Sequence, residues 1–229
     1  MEDKCIRFRK LPKEYTEHKI NSGENGCCYR LNDDLVYKWL FEPYEDYSEL
    51  KKHVKLSVPG FVFPKYLVFL KNRFDGYLME YVDGVNFKNR ISMLMRDYIN
   101  ETIRFEYNIA VLSRLNIFAI DLSRSNFMVT KDGHFKAIDT DLYRVVESNK
   151  NLYSHNLALF SHVILSQFFD LGEIISGNIG FDNKKFNLMC KQIHEGKNLP
   201  SKLLNELYAF YSSDISTDEV RDSMKLLLK

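Results

Sequence analysis

The stretch Ile120-Asp-Leu-Ser-Arg-Ser-Asn-Phe-Met-Val129 sets a carboxylate, Asp121, and a carboxamide, Asn126, on one tight loop that runs into an apolar strand. A turn at Lys131-Asp132-Gly133 reverses the chain, since Asp and Gly favour turns, and Phe135-Lys-Ala-Ile138 delivers a second carboxylate, Asp139. Phosphoryl transfer from a nucleotide needs a carboxylate over an acceptor hydroxyl, with an amide and a second carboxylate to hold metal. An ordinary hairpin with Asp and Asn at its ends is the competing account of the same residues.

The elements that must position these groups fall into two textures. Through the first eighty or so residues the chain reads as strands broken by turns, with one helix. Cys27–Leu31 and Leu35–Leu40 flank the polar turn Asn32-Asp-Asp34, a hairpin signal. Apolar residues at helical spacing, Tyr44, Tyr47, Leu50, Val54 and Leu56, predict a helix from Pro43 through Ser57. Val62–Leu70 and Gly76–Val82 read as a second strand pair around Asn72–Asp75. After Asp83-Gly84 long helices dominate. Leu94, Ile99, Ile103, Ile109 and Leu112 predict one over Ile91–Leu115, and others follow near Leu152–Leu171, Asn183–Glu195, Ser201–Tyr211 and Thr217–Leu228. Ser216-Thr-Asp-Glu219 has the form of a capping box.

Together these residues resemble the protein-kinase-like superfamily. The kinase run H-R-D-L-x-x-x-N followed by D-F-G reads here as Ala119-Ile120-Asp121-Leu122 through Asn126, then Asp139-Thr140-Asp141. Asn21-Ser-Gly23-Glu-Asn-Gly26 is similar to the glycine-rich loop, with Asn21 at its first glycine. The resemblance implies an α+β, bilobal fold: a small antiparallel N-terminal sheet with one helix over residues 1–82, and a larger, mostly helical lobe over 83–229. It also implies ATP and Mg²⁺ as ligands. Lys38 would neutralise phosphates and pair with Glu49, with Glu45 as the alternative. Gly23 and Gly26 would let backbone amides approach phosphate. Cys28 and Val36 would roof the adenine and Met128 floor it. Met79 would limit the pocket, and the backbones of Glu80 and Val82 would bond the base. Asp121 would orient the acceptor hydroxyl, while Asn126 and Asp139 would bind Mg²⁺.

Four departures qualify that picture. Ala119 and Ile120 replace the His and Arg, so there is no partner for a phosphorylated activation loop. Ser123 replaces the family lysine, with Arg124 next door as a possible source of positive charge. Asp141 replaces a glycine, as a turn cap or as an auxiliary metal ligand. Only about a dozen residues, Leu142 to Leu152, precede the next helix, so the platform for an extended peptide is absent. Asn156 lies where the family supports its catalytic loop. The resemblance implies transfer of a γ-phosphate to a hydroxyl of a protein or a small molecule. The alternatives are a nucleotide-binding pseudokinase and AMP transfer.

Bulk properties exclude other classes. A net charge of +1 provides no field for nucleic acid or an anionic membrane. No apolar run approaches a membrane span, and the amino terminus lacks a secretory pattern. Cys5, Cys27, Cys28 and Cys190 lack zinc spacing and a disulfide framework, which fits a reducing cytoplasm.

Overall fold

The computed structural model describes residues 4–42, 44, 46–147, 149–211 and 214–228. It is an α+β protein with a mixed, multi-stranded sheet and eight α-helices among the described residues. The chain divides into two compact units. One takes the residues up to Asp83 together with Ile138–Asp141; the other takes Gly84–Ala137 and the residues from Leu142 onward.

In the first unit, β1 (Cys5–Phe8), β2 (Lys19–Ser22), β3 (Gly26–Arg30), β4 (Leu35–Leu40), β5 (Tyr66–Leu70) and β6 (Arg73–Glu80) form one sheet in the order β1-β5-β6-β4-β3-β2. Helix α1 (Glu14–Glu17) follows β1, and α2 (Ser48–His53) follows β4. The sheet is not wholly antiparallel, because β1 runs parallel to β5 with Cys5 opposite Leu67 and Phe8 opposite Leu70. Strand β4 alternates sides, as the pleat requires. Val36 and Leu40 join Leu50, Val54, Leu67, Phe69, Tyr77 and Met79 in the larger core. Tyr37, on the opposite face, packs with Val68 and Leu78. Lys38 therefore shares the face of Val36 and Leu40. The β5–β6 turn falls at Lys71-Asn72, both at positive φ (48° and 65°), earlier than Asn72–Asp75. Two consecutive positive-φ residues make the tight turn whose twist matches a hairpin. Helix α2 is much shorter than Pro43–Ser57; Leu50 is its fully buried apolar residue, and Pro43 and Glu45 lie outside the described residues.

The second unit is built on α3 (Met95–Arg114). It also contains β7 (Gly84–Asn86), β8 (Ile117–Phe118), β9 (Phe127–Thr130), β10 (Phe135–Ala137), β11 (Arg144–Val145), α4 (Leu152–Leu165), α5 (Leu171–Ser176), α6 (Lys184–His194), α7 (Pro200–Tyr208) and α8 (Thr217–Leu227). Helix α3 starts at Met95 rather than Ile91, because Ile91–Leu94 is held against the start of α8: Thr217 Oγ1 donates to Ile91 O, and Thr217 N donates to Met93 O. Its buried stripe is Met95, Tyr98, Ile99, Phe105, Ile109 and Leu112, whereas Leu94 and Ile103 are exposed. Packed rings of Phe87, Tyr98, Phe105, Phe127, Phe135 and Phe160 form the centre, at centroid separations such as 4.8 Å for Phe87–Phe127 and 4.9 Å for Phe105–Phe160. Each such aromatic contact adds about 0.5–1.5 kcal/mol beyond the area buried. The capping box forms as expected, with Glu219 N donating to Ser216 Oγ and Ser216 N donating to Glu219 Oε2.

Gly26 is required by packing. A Cβ there would lie 2.2 Å from the backbone oxygen of Trp39, whereas a Cβ on Gly23 would meet nothing within 4 Å. Gly26→Ala is expected to lower unfolding free energy by about 1–3 kcal/mol without any nucleotide present, while Gly23→Ala leaves it nearly unchanged. Equal urea midpoints for the two variants would refute this assignment.

Candidate functional site

The residues singled out in the sequence occupy both units. In the first, Lys38 sits mid-strand on β4, opposite Cys28 on β3 and Tyr77 on β6. Its flanks are core, so the side chain is 8% exposed and its ammonium needs counter-charge within the unit. Asp139 and Asp141 supply it. Lys38 Nζ donates to Asp139 Oδ1 at very short range and lies 3.3 Å from Asp141 Oδ2. Tyr44 also donates its hydroxyl to Asp141 Oδ2 at 3.3 Å. The ring of Tyr77 lies 5.6 Å from the ammonium, and its hydroxyl is buried with no hydrogen-bond partner among the described residues.

The expected Lys38–Glu49 pair is not made. Glu49 pairs instead with Lys52 one turn along α2, and both carboxylate partners of Lys38 come from the Asp139–Asp141 turn. The reason is local: α2 is a six-residue helix whose glutamate has a lysine three positions on, in reach on the same face. Glu45, the alternative, lies outside the described residues. Asp141 does more than a turn cap: its carboxylate is buried and ion-paired with Lys38.

The turn that carries both carboxylates is set by backbone and anchor. Asp139 adopts φ +58°, a left-handed conformation that a short polar side chain tolerates better than most. Thr140, buried, donates its hydroxyl to Val62 O at 2.8 Å, and a single 3₁₀ turn follows over Thr140–Leu142. Burial pushes the Asp139 carboxyl up to about 6, reinforced by the charge of Asp141 and opposed by Lys38. For Asp141 burial also favours the neutral acid, yet the Lys38 charge and its hydrogen bonds outweigh that and hold it below the usual carboxylate range. Lys38 is opposed by burial but raised above its ordinary value by Asp141 and Asp139. Burial raises the Cys28 thiol to about 11, so it is a packing residue at neutral pH. Val36 and Met79 are buried beside it, with Val82 and Cys28 packed against the same cluster. Glu80 ends β6 opposite Leu35.

The second unit holds the Asp121 loop. Asn156, fully buried on α4, accepts from Ala119 N at 3.0 Å and donates to Ile117 O at 2.8 Å and Ser113 Oγ at 3.0 Å. That fixes the strand leading into Asp121. A 3₁₀ turn over Arg124–Asn126 then aims Asn126 back, so that its Nδ2 donates to Asp121 Oδ2 at 2.7 Å and to Asp121 O at 3.2 Å. From β7, Asn86 Nδ2 braces the loop by donating to Ser125 O at 2.6 Å. Arg124 is directed toward the segment after β7, donating from Nε to Phe87 O at 3.3 Å and from Nη2 to Lys88 O at 3.4 Å. Met128 lies on β9 between Asn86 and Lys136 of its neighbours.

This arrangement leaves Asn126 Oδ1 without a donor among the described residues and Asp121 with one carboxylate oxygen uncommitted. Asp139, its side chain 39% exposed, is the accessible carboxylate of its cluster. Mg²⁺ takes hard oxygen ligands, commonly one or two carboxylates plus substrate phosphates and waters. Asn126 Oδ1 and Asp121 in the second unit, and Asp139 in the first, are each oxygens of that type. No group of three or more His, Cys, Asp or Glu able to hold a metal occurs among the described residues. Sequence reading missed Tyr44, Tyr77 and Asn86. Tyr44 lies on irregular chain before α2, where periodicity carries no information about partners.

Asn156→Leu strips the acceptor from Ala119 N–H and the donor from Ile117 C=O. Two buried groups left unsatisfied at about 1–3 kcal/mol each predict a loss of about 2–6 kcal/mol in urea unfolding. A loss below about 0.5 kcal/mol, typical of neutral surface changes, would show that the amide does not hold the loop.

No protein-family model matches the chain, and no curated protein matches it.

Proposed function

We propose that this chain is a minimal phosphotransferase of the protein-kinase-like superfamily, its two units corresponding to the two lobes of that fold, which transfers the γ-phosphate of Mg·ATP to a hydroxyl acceptor. The observation that carries the reading is the buried Lys38 ammonium clasped by Asp139 and Asp141, both delivered by the chain segment that leaves the Asp121–Asn126 hairpin. A core-facing lysine with two carboxylates is costly to keep for structure alone, because buried ion pairs seldom outdo apolar packing. An oxygen-rich, partly open cluster of this kind is where a metal–phosphate group can be exchanged for an internal ion pair.

In this reading Lys38 neutralises phosphate oxygens, and Asp141 keeps the ammonium charged and aimed. Asp139 and Asn126 would hold Mg²⁺, which would supply stabilisation of developing negative charge. Asp121, oriented by Asn126, positions the acceptor hydroxyl and receives its proton. The adenine would meet Cys28, Val36, Met79 and Met128, with the backbones of Glu80 and Val82. The proposal places the protein in a reducing cytoplasm, in keeping with four unbridged cysteines; no helix of the described residues is long and apolar enough to cross a membrane.

Asp139→Asn is expected to abolish transfer from γ-labelled ATP while the protein stays folded; undiminished transfer would sink the reading. A melting shift with Mg·ATP but no turnover on any acceptor would mark a nucleotide-binding module instead. A proton on Asp139 competes with the cation, and its pKa stands near 6. Affinity for Mg·ATP is therefore expected to rise as pH increases from 5 to 7 and to level off above. Asp141→Asn removes a charge that holds the pKa up, so the rise should move to lower pH. Calorimetric titration across that range checks both, and a flat profile between pH 5 and 7 contradicts the role given to Asp139.

A further inference from the structure

Within the second unit, a cleft of about 600 Å³ opens along the loop that follows Asp121. Leu122–Ser125 form one wall, Lys88 stands beside them, and α4 and the start of α5 close the other side through residues including His162 and Asp170. Its charges are unevenly committed. Asp170 caps the first turn of α5 through one carboxylate oxygen, Oδ1 accepting from Gly172 N at 2.7 Å and Glu173 N at 3.3 Å, and places one negative charge on the α5 side against the two cations on the loop side. His162 Nε2 is engaged with His194 Nδ1 at 2.9 Å. Lys88 and Arg124 have no carboxylate partner among the described residues; Arg124 makes only two long bonds to backbone oxygens, leaving donors of its guanidinium to spare. Ser123 and Ser125 line the same cleft with their hydroxyls bonded to each other at 2.9 Å, which leaves one O–H of the pair as a further donor. Guanidinium and ammonium groups with adjoining hydroxyls are what recognise phosphate or carboxylate.

We propose that this cleft is the acceptor subsite and that the acceptor is a small hydroxyl compound bearing a phosphate or carboxylate group, held by Lys88 and Arg124. The inference rests on the phosphotransferase reading for the reaction, though not for the binding. The cleft lies within the roughly 300–1,000 Å³ of small-molecule sites. The segment that would have to carry an extended peptide is instead tied down: β11 pairs with β8, and Val146 N donates to Asn116 O at 2.8 Å. In the reaction the acceptor oxygen bonds to the γ-phosphorus and the bond from that phosphorus to the β–γ bridging oxygen breaks. ADP leaves, and the acceptor proton passes to Asp121.

The test has a binding arm and a transfer arm. Glycerol 3-phosphate and glycerol are titrated into the full chain by calorimetry, with a non-hydrolysable Mg·ATP analogue present so that phosphate cannot report on the nucleotide site. The anionic member is expected to bind and the neutral one not. Lys88→Ala and Arg124→Gln are each expected to weaken glycerol 3-phosphate about tenfold or more, as the loss of a charge-assisted bond predicts, and Arg124→Lys is expected to recover part of the loss. Equal binding of the two compounds, or affinity indifferent to both substitutions, overturns the subsite. With γ-labelled ATP, paired neutral and anionic hydroxyl compounds are then compared with acidic peptides. Preference for the anionic small molecules supports the proposal, whereas transfer confined to peptides overturns it. Binding that depends on Lys88 and Arg124, with no transfer to anything, leaves the subsite standing and refutes the phosphotransferase reading.

Discussion

A single ammonium facing a hydrophobic core organises the first unit. Lys38 occupies a central strand, between Val36 and Leu40 on the inward face of the sheet. Burying such a charge alone costs several kcal/mol, so the strand can hold that register only if acids reach it. The Asp139–Asp141 turn meets the requirement from the far side of the sequence, a hundred residues away. Val62, whose carbonyl accepts from Thr140, fixes where the turn sits. The lysine, the turn and the Val62 segment ahead of β5 are therefore tied to one another, and the left-handed backbone at Asp139 is part of the cost of aiming two carboxylates at one nitrogen.

The two acids divide the work because their surroundings differ. Asp141 is closed off beneath Tyr44 and is kept ionised by Lys38. Asp139 is the more open of the two, yet burial still raises its pKa to about 6, reinforced by the neighbouring Asp141 charge. When two carboxylates share a cation, the one with the poorer hydrogen bonds takes the proton first. A buried counter-ion and a more exposed carboxylate can thus arise from the two ends of one tripeptide. Drawing the counter-ion from this turn also frees the ammonium from any dependence on α2, whose glutamate is spent on Lys52.

Legibility in the sequence followed locality. The β3–β4 and β9–β10 hairpins and the α8 capping box were readable, since turn residues and caps act within a few positions. Strands β1 and β2 were not. β2 is exposed at all four residues and so shows no alternation, and β1 finds its parallel partner some sixty residues on. The start of α3 was misplaced because Ile91–Leu94 has apolar residues at helical spacing but is captured by bonds from Thr217. At the candidate site the identities Lys38, Asp121, Asn126 and Asp139 were legible as residue types at a spacing. The partner of Lys38 was not, since the choice between Glu49 and Asp141 depends on how far α2 extends and on which face the turn closes, and neither leaves a periodic trace.

The Asp121 loop is held by a different means, and the contrast is informative. Its supports are amides rather than charges: Asn156 spans Ala119 N and Ile117 O, Asn86 reaches Ser125 O, and Asn126 reaches Asp121. A buried loop edge offers both N–H donors and carbonyl acceptors, and only a carboxamide matches both at once. A carboxylate at position 156 would face the oxygen of Ile117 with like partial charge, and the groups that Asn156 bonds among the described residues are all neutral. Ala119 and Ile120 ahead of the aspartate are apolar, and Arg124 within the loop donates to backbone oxygens of Phe87 and Lys88, so neither calls for an acid at position 156. Neutral bracing therefore leaves Asp121 with an amide as its side-chain partner and one carboxylate oxygen uncommitted among the described residues, while Arg124 of the same turn donates to Phe87 O and Lys88 O instead.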